Sequence, residues 1–301
     1  MSTSQNLPLA ARYTWGGDEF LFVEIAEEMS LASNLRVMAM AGALAEHSLD
    51  GIVDICPANA SLLVRFDPDV LAPADLRCTV EEVEIATKER TGTVLSTRIV
   101  EVPVWYDDPY TREVAMRFRE GYHQAPAGTD LDYAARVNNL AGPAEFIQRH
   151  HAQPWIVSMV GFVAGLPFLF QLVEREHQLE VSKYLSPRTD TPRLTVGHGG
   201  CFGCIYSVRG AGGYQMFGTA AAPVFDPTQS LPDFIDSMVF FRPGDIVKFV
   251  SITQEDYRRI GQEVDEGTFR YRSAPVEFDV ERAVMDPEAY NATLLENLYA
   301  R

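Results

Sequence analysis

From Trp155 onward, Gly and Pro recur so closely that only short strands fit between the turns. Ile156 to Phe170 is dense in apolar residues and Gly, and residues 187 to 227 carry many Gly, Pro and Arg. Pro243-Gly244 then sets a turn ahead of a strand-like run from Asp245 to Ile252. Short strands joined by Gly-rich turns predict a β-barrel or a sandwich-like domain.

The residues before Trp155 read differently. Phe20 to Ile25 is apolar and β-rich. Ser30 is a candidate N-cap, with Ser33 or Asn34 as alternatives, and Leu35, Met38, Ala41 and Leu44 recur at helical spacing. Ser61 to Phe66 reads as a second strand, ended by Asp67-Pro68; Ala74 to Lys88 is acidic and mixed. Together these suggest a small α+β domain of about 90 residues. Thr93 to Val104 is rich in Val, Ile and Thr and reads as strand, and Tyr106-Asp107-Asp108-Pro109 as a turn. Helices are expected over Thr111 to Tyr122 and Leu131 to Ala141. A third, holding Glu145 to His151, begins after Gly142-Pro143, because Pro suits a first helical turn. From about Thr253 the pattern is helical again, apart from Val276 to Val280, which alternates like a strand. The expected division is 1–92, 93–254 and a C-terminal extension over 255–301.

The formal charge of the 301 residues is −17. Such a chain lacks the clustered cations that displace counterions from nucleic acid or adsorb to anionic lipid. Two readings of the acid remain: ordinary solubility, or a face toward a basic partner. No apolar run is long enough to cross a bilayer. Met1 to Ala11 is polar, without a signal-peptide core, so the cytoplasm is the expected compartment. The four cysteines are too few in a chain this long for a disulfide framework. Cys56 and Cys78 sit among apolar neighbours and read as buried thiols.

Several local patterns are candidates for chemistry. In Gly161 to Leu169, Gly165 and Pro167 force an irregular turn inside an apolar run. That turn is either a tight barrel corner or a bend exposing backbone N–H groups. In Ser186-Pro-Arg-Thr-Asp-Thr-Pro-Arg193 each Pro keeps its predecessor extended. Arg188 and Arg193 then offer guanidinium forks to a carboxylate or phosphate, or else form surface ion pairs. Gly210 to Gly213 ahead of Tyr214 is neither a Walker loop nor a Rossmann fingerprint, so no nucleotide motif is present. His198, Cys201 and Cys204 supply three ligands of a metal site without a fourth, a redox pair, or plain packing. His150 and His151 end a helix, where the macrodipole favours protonation; His150 is the candidate general base or donor, and helix-end packing the alternative.

Taken in order, these residues resemble the KipI / allophanate hydrolase subunit 1 family. The resemblance runs through Gly17-Asp18-x-x-Leu21-x-Val23-Glu24 and Asn34-x-x-Val37. It continues in Gly51-Ile-Val-Asp54-x-x-Pro57-Ala58-x-x-Ser61-Leu-Leu-Val64-x-Phe66-Asp67-Pro68. Val102-Pro103-Val104, Glu145-Phe-Ile147 with His150, and Gly161-Phe162 with Gly165 and Pro167 follow. Thr191-Pro192-Arg193, Ile205-Tyr206, Gly212-Gly213, Phe225-Asp226-Pro227 and Pro243-Gly244-Asp245 complete it. The pattern departs from the family at Ala164, Leu166, Phe168, Gly218-Thr-Ala-Ala and Tyr214, and no counterpart is placed after Ile252.

The resemblance implies an α+β N-terminal domain followed by a cyclophilin-like β-barrel, with a helical C-terminal extension. It also implies a carboxyltransferase-type component, or one like the B component of 5-oxoprolinase, in an ATP-dependent carboxylase or an amide or lactam hydrolase. Such a component pairs with a KipA-type or hydantoinase/carboxylase-type subunit. The narrowest expectation is the accessory subunit of an acetophenone-carboxylase-like ketone carboxylase; a histidine-kinase inhibitor of the KipI type is the alternative. ATP would be used by the complex, and no cofactor is expected on this chain. The expected partner-shared site is Arg188, Arg193, Phe162, Gly165, Pro167, Gly212, Gly213 and Tyr214, with His150 catalytic. Asp226 and Asp245 are expected to brace turns. Met285, Tyr290, Leu294, Leu295, Leu298 and Tyr299 are expected to form an apolar helix face, for docking or for packing on the chain itself.

Overall fold

The computed structural model describes residues 10–89 and 94–300. The chain divides into two units, one of residues 1–96 with 277–285, the other of 97–276 with 286–301. The division falls inside two strands rather than at a linker. The expected boundary at 92/93 and most of the polar N-terminal segment lie outside the described residues.

The first unit is an antiparallel sheet with helices. In chain order it holds β1 (Arg12–Gly16), β2 (Phe20–Glu24), α1 (Leu31–Glu46), β3 (Ile52–Pro57), β4 (Ser61–Phe66) and α2 (Pro73–Glu89). The strand order is β1-β2-β4-β3. Leu21, Val23, Leu62, Val64 and Phe66 alternate onto one face and are buried with Val37, Met40 and Leu44 of α1 and Leu76, Val80 and Val83 of α2. Ser30 is the N-cap of α1, its hydroxyl accepting from the Ser33 N–H. Glu84 is buried and pairs with Arg36, while accepting from Tyr13 Oη and the Ala11 N–H. The acidic run 74–88 is thus a helix whose one buried acid is fully engaged. Cys56 and Cys78 are both exposed. Each lies on the solvent side of its element, so the expectation of buried thiols was wrong: apolar neighbours in sequence belong to the opposite face.

The second unit begins with β5 (Val94–Tyr106), α3 (Pro109–Arg117), α4 (Asp130–Val137) and α5 (Pro143–Ala152). The strands β6 (Trp155–Val160), β7 (Pro167–Gln171), β8 (Arg188–Thr191), β9 (Thr195–Gly199), β10 (Phe202–Ile205), β11 (Gly210–Gly212), β12 (Gln215–Ala220) and β13 (Ile246–Ser251) follow. Then come α6 (Gln254–Asp265), β14 (Ser273–Asp279), α7 (Val280–Met285) and α8 (Pro287–Tyr299). Seven strands close a barrel in the order β12-β9-β10-β7-β6-β13-β5, with β5 returning to β12 and β14 added beside β5. Only β5 and β13 run parallel within the ring; β8 and β11 form a separate ribbon. The expected α+β unit, barrel and helical tail are all present.

Val102, Val104, Trp155, Val157, Leu169, Val196, Ile205, Phe217, Val247 and Phe249 fill the barrel interior. Closure depends on a close approach at Gly218, where a Cβ would lie 2.5 Å from the Trp105 carbonyl oxygen. In α8, Tyr290, Leu294 and Leu298 are buried. Asn291 Nδ2 donates to Gln153 Oε1 and to the Leu172 carbonyl, so this helix is tied to the segments just before β6 and just after β7. Met285 remains exposed. Asp226 and Asp245 brace turns: Asp226 accepts from Thr228, Ser230 and the Leu231 N–H, and Asp245 from Arg98 and the Arg242 N–H. Burial acts to raise the Asp226 carboxyl, but its hydrogen-bond donors win and hold it far below its usual range. No helix among the described residues is long and apolar enough to cross a membrane.

Candidate functional site

The sequence-predicted residues gather at two ends of the barrel, with one set inside it. The β6–β7 hairpin closes at Val160 and Pro167. The β9–β10 hairpin closes at Gly199 and Phe202, level with Phe170 at the far end of β7. Phe162, Gly165, Pro167 and Arg193 belong to the first end. Tyr214 belongs to the second, because it directly precedes Gln215, which pairs with His198.

At the first end the backbone is held in unusual conformations. Phe162 has φ +70°, and the Val163 N–H donates to the Gly161 carbonyl at 2.9 Å. This is a γ-turn of the strained, positive-φ kind, costing about 1–3 kcal/mol. It leaves the Phe162 ring 68% exposed. Gly165 has φ +71°, and a Cβ there would lie 2.9 Å from Phe225 Cβ, so the loop can press against Phe225 only with Gly at this point. Ser207 Oγ donates to the Ala164 carbonyl at 2.6 Å and ties the loop to the end of β10. Leu194 has φ +67°, fixed from both sides: its N–H donates to the Tyr206 carbonyl and its carbonyl accepts from the Ala220 N–H. The exposed guanidinium of Arg193 is thereby held near the same Phe225, whose carbonyl it meets at 3.3 Å. No acidic side chain of the described residues pairs with it.

At the second end Arg188 does not project. It is fully buried, donating to the Tyr214 carbonyl at 2.7 Å and to Thr191 Oγ1 at 3.2 Å, with its plane over the Tyr184 ring. The Pro-bounded segment folds into the ribbon β8–β11, where Arg188 pairs with Gly212; that pairing turns the side chain inward. The Gly213 carbonyl accepts from the Tyr184 N–H. Tyr184 Oη in turn donates to Asp130, which is ion-paired with the buried Arg119 and accepts from the Met216 N–H. Arg188, Gly212, Gly213 and Tyr214 therefore do come together, as a braced and closed cluster. Arg119, Asp130 and Tyr184 were not expected from the sequence, and no local spacing signals them.

His150 lies inside the barrel. It is fully buried among Phe146, Trp155, Phe217 and Phe249, with Nδ1 2.9 Å from Tyr106 Oη and no partner for Nε2. Burial, then His198 and His151, hold its pKa well below the usual range. The expected protonation at the helix end is overridden, and a substrate outside the barrel has no access to this ring. The metal candidates do not converge either. His198 points inward beside Trp155 and Phe217. Cys204 points outward, packed with Leu166, Tyr206 and Tyr214. The pleat places them on opposite faces of the sheet, and burial raises the thiols of Cys201 and Cys204. No group of three or more His, Cys, Asp or Glu gathers for a metal among the described residues.

The accessible chemistry is thus at the Arg193 end, where the exposed guanidinium meets the Phe225 carbonyl and the Gly165 loop presses on the same Phe225. A guanidinium there takes a carboxylate or another oxyanion through two parallel hydrogen bonds.

Comparison with known proteins covers most of the chain. It is 29% identical to the B component of the 5-oxoprolinase of Bacillus subtilis (strain 168), over 82% of this chain and 95% of that protein. It is 26% identical to urea amidolyase of Lachancea kluyveri, over 97% of this chain but only 16% of that much longer protein. The crystal structure of the K. lactis urea amidolyase superposes with a TM-score of 0.81 at 25% identity, covering 97% of this chain and 18% of that one. The family described as "Carboxyltransferase domain, subdomain C and D" matches residues 11–235. The chain therefore belongs to the carboxyltransferase subdomain C and D family, the KipI / allophanate hydrolase subunit 1 type.

Proposed function

We propose that this chain is a subunit of an ATP-dependent carboxylase or amide- or lactam-hydrolysing complex, contributing one wall of a site completed by a partner. The observation that carries the reading is the pair of coverages. The same fold makes up nearly all of a protein named as one subunit of 5-oxoprolinase, and only a small segment of urea amidolyase. In both settings it works beside other protein. The Arg193 end supports this, since Arg193 and Phe162 are both exposed there.

Co-purification of the tagged chain from its native host, with mass identification of what accompanies it, tests the reading. Recovery of a KipA-type or hydantoinase/carboxylase-type subunit is expected. ATP hydrolysis by the recovered complex is then measured with 5-oxoproline, with urea and with acetophenone, and is expected to depend on one of them and to be absent in the isolated chain. A response to acetophenone would support the narrower reading of a ketone-carboxylase accessory subunit, motivated by the chain's size and its departures from the family pattern. Recovery with a histidine kinase alone would sink the enzyme reading in favour of a kinase inhibitor.

A further inference from the structure

We infer that the barrel interior is a binding site for one water molecule, held between His150 Nε2 and His198 Nδ1. The site belongs to this chain alone and stands whether or not a partner subunit binds.

The hydrogen bonds already made fix what each ring has left. Backbone carbonyls of Leu179 and Gly200 act on His198. The Gly200 carbonyl lies 3.1 Å from Nε2 and can only accept, so Nε2 carries the proton and Nδ1 is a bare acceptor. Tyr106 Oη lies 2.9 Å from His150 Nδ1. Its O–H donates there, which puts the His150 proton on Nε2. The two remaining nitrogens, one donor and one acceptor, are both buried and unpartnered. Left so, each costs its full desolvation. Around His150 stand Phe146, Phe217 and Phe249, which offer no acceptor, and Trp155, whose indole N–H is spent on the His150 carbonyl. His198 packs on Trp155 and Phe217 as well. Among the rings that touch them, each histidine is the only one with a nitrogen to spare for the other.

Spacing selects a bridge over a direct bond. The ring centres are 6.1 Å apart. With each nitrogen about 1.1 Å from its ring centre, a direct N–H···N bond of about 3.0 Å allows at most about 5.2 Å. A water about 2.8 Å from each nitrogen, bonded at a roughly tetrahedral angle, sets the centres about 6.4 Å apart. Gly203 leaves room on the same wall. It pairs with His198 on the neighbouring strand, and a Cβ there would meet nothing nearer than the Trp155 ring at 3.4 Å and Leu169 at 3.6 Å. A metal ion is a poorer occupant, because no third His, Cys, Asp or Glu joins these two among the described residues. With the water in place the hydrogen bonds run one way, from Tyr106 through His150, the water and His198 to the Gly200 carbonyl. Each ring is then held in a single tautomer.

Nitrogen-15 NMR of the full chain labelled at histidine, together with a high-resolution crystal structure and metal analysis of the same preparation, tests the site. One ordered water within hydrogen-bonding distance of both nitrogens is expected, with a protonated Nε2 on each ring and magnetisation transfer between the His150 Nε2–H and water. A direct contact between the two nitrogens, no density between the rings, or a stoichiometric metal that a chelator removes would each overturn the inference. His150→Phe and His198→Phe test the energetics. Each alone strands the other's nitrogen and is expected to lower the folding equilibrium constant roughly tenfold. In the double variant the second change is expected to cost much less than it does alone. Strictly additive losses would mean that the two rings share no ligand. Should either variant fail to fold, the spectra and density of the wild-type chain decide the matter.

Discussion

His150 stands in the last turn of α5, where the macrodipole favours an imidazolium, yet full burial leaves it neutral beside a second buried histidine. The rings of His150 and His198 lie 6.1 Å apart, and burial lowers His198 to about 4. In the unfolded chain both return to an ordinary value near ~6.5. The unfolded state therefore binds more protons below that pH, and stability is complete above it and lost as pH falls toward 4. His198 alone accounts for roughly 3 kcal/mol across that window. Urea unfolding at pH 5 is expected to show a clearly lower midpoint than at pH 7. His198→Asn is expected to shrink the difference, and an unchanged difference would mean that other groups govern it. Of the residues picked from sequence, Arg193 kept its predicted exposure and Arg188 lost it. Both are flanked by Pro, and only ribbon pairing with Gly212 separates them.

Among the elements, the seam between β5 and β12 is the most exacting, because it closes the ring. Its register sets Gly218 opposite Tyr106. An alanine methyl there meets backbone atoms of Trp105 and Tyr106 that have no room to move. Gly218→Ala is expected to cost about 1–3 kcal/mol. Gly203→Ala, whose nearest neighbour at 3.4 Å is the Trp155 ring, is expected to cost far less. Equal melting temperatures for the two variants would refute this account of closure. The helices expected over 111–122 and 131–141 exist but are shorter, as α3 and α4, the latter with a complete capping box at Thr129 and Asp132, while the one expected to hold Glu145 to His151 is the full α5. The strands β1 and β3 were not anticipated. Their residues are mostly exposed or half-buried, so they carry little of the apolar alternation by which strands are read.

For the whole molecule, the C-terminal helix is structural. Removing residues 286–301 strips Tyr290, Leu294 and Leu298 from the barrel unit and leaves the Gln153 and Leu172 acceptors without Asn291. At about 1.5–3 kcal/mol per large apolar side chain the loss is about 5 kcal/mol or more. The truncated chain is expected to melt well below the full one or to aggregate. A truncated chain that melts normally would return this helix to the role of a free docking segment.

Composition, the rhythm of Gly and Pro after Trp155, and the ordered motifs from Gly17 to Asp245 determined a small α+β unit, a barrel and the family. Those features are local: turn chemistry and alternation act over a few residues, and they survive in any chain that folds this way. Which side chains face water was decided only by tertiary structure. Burial of His150, inward rotation of Arg188, exposure of Cys56 and Cys78, and the approach of Arg193 and Gly165 to Phe225 depend on partners far away in sequence. The face a residue presents is set by strand register and ring closure, and neither is encoded within the reach of a single turn.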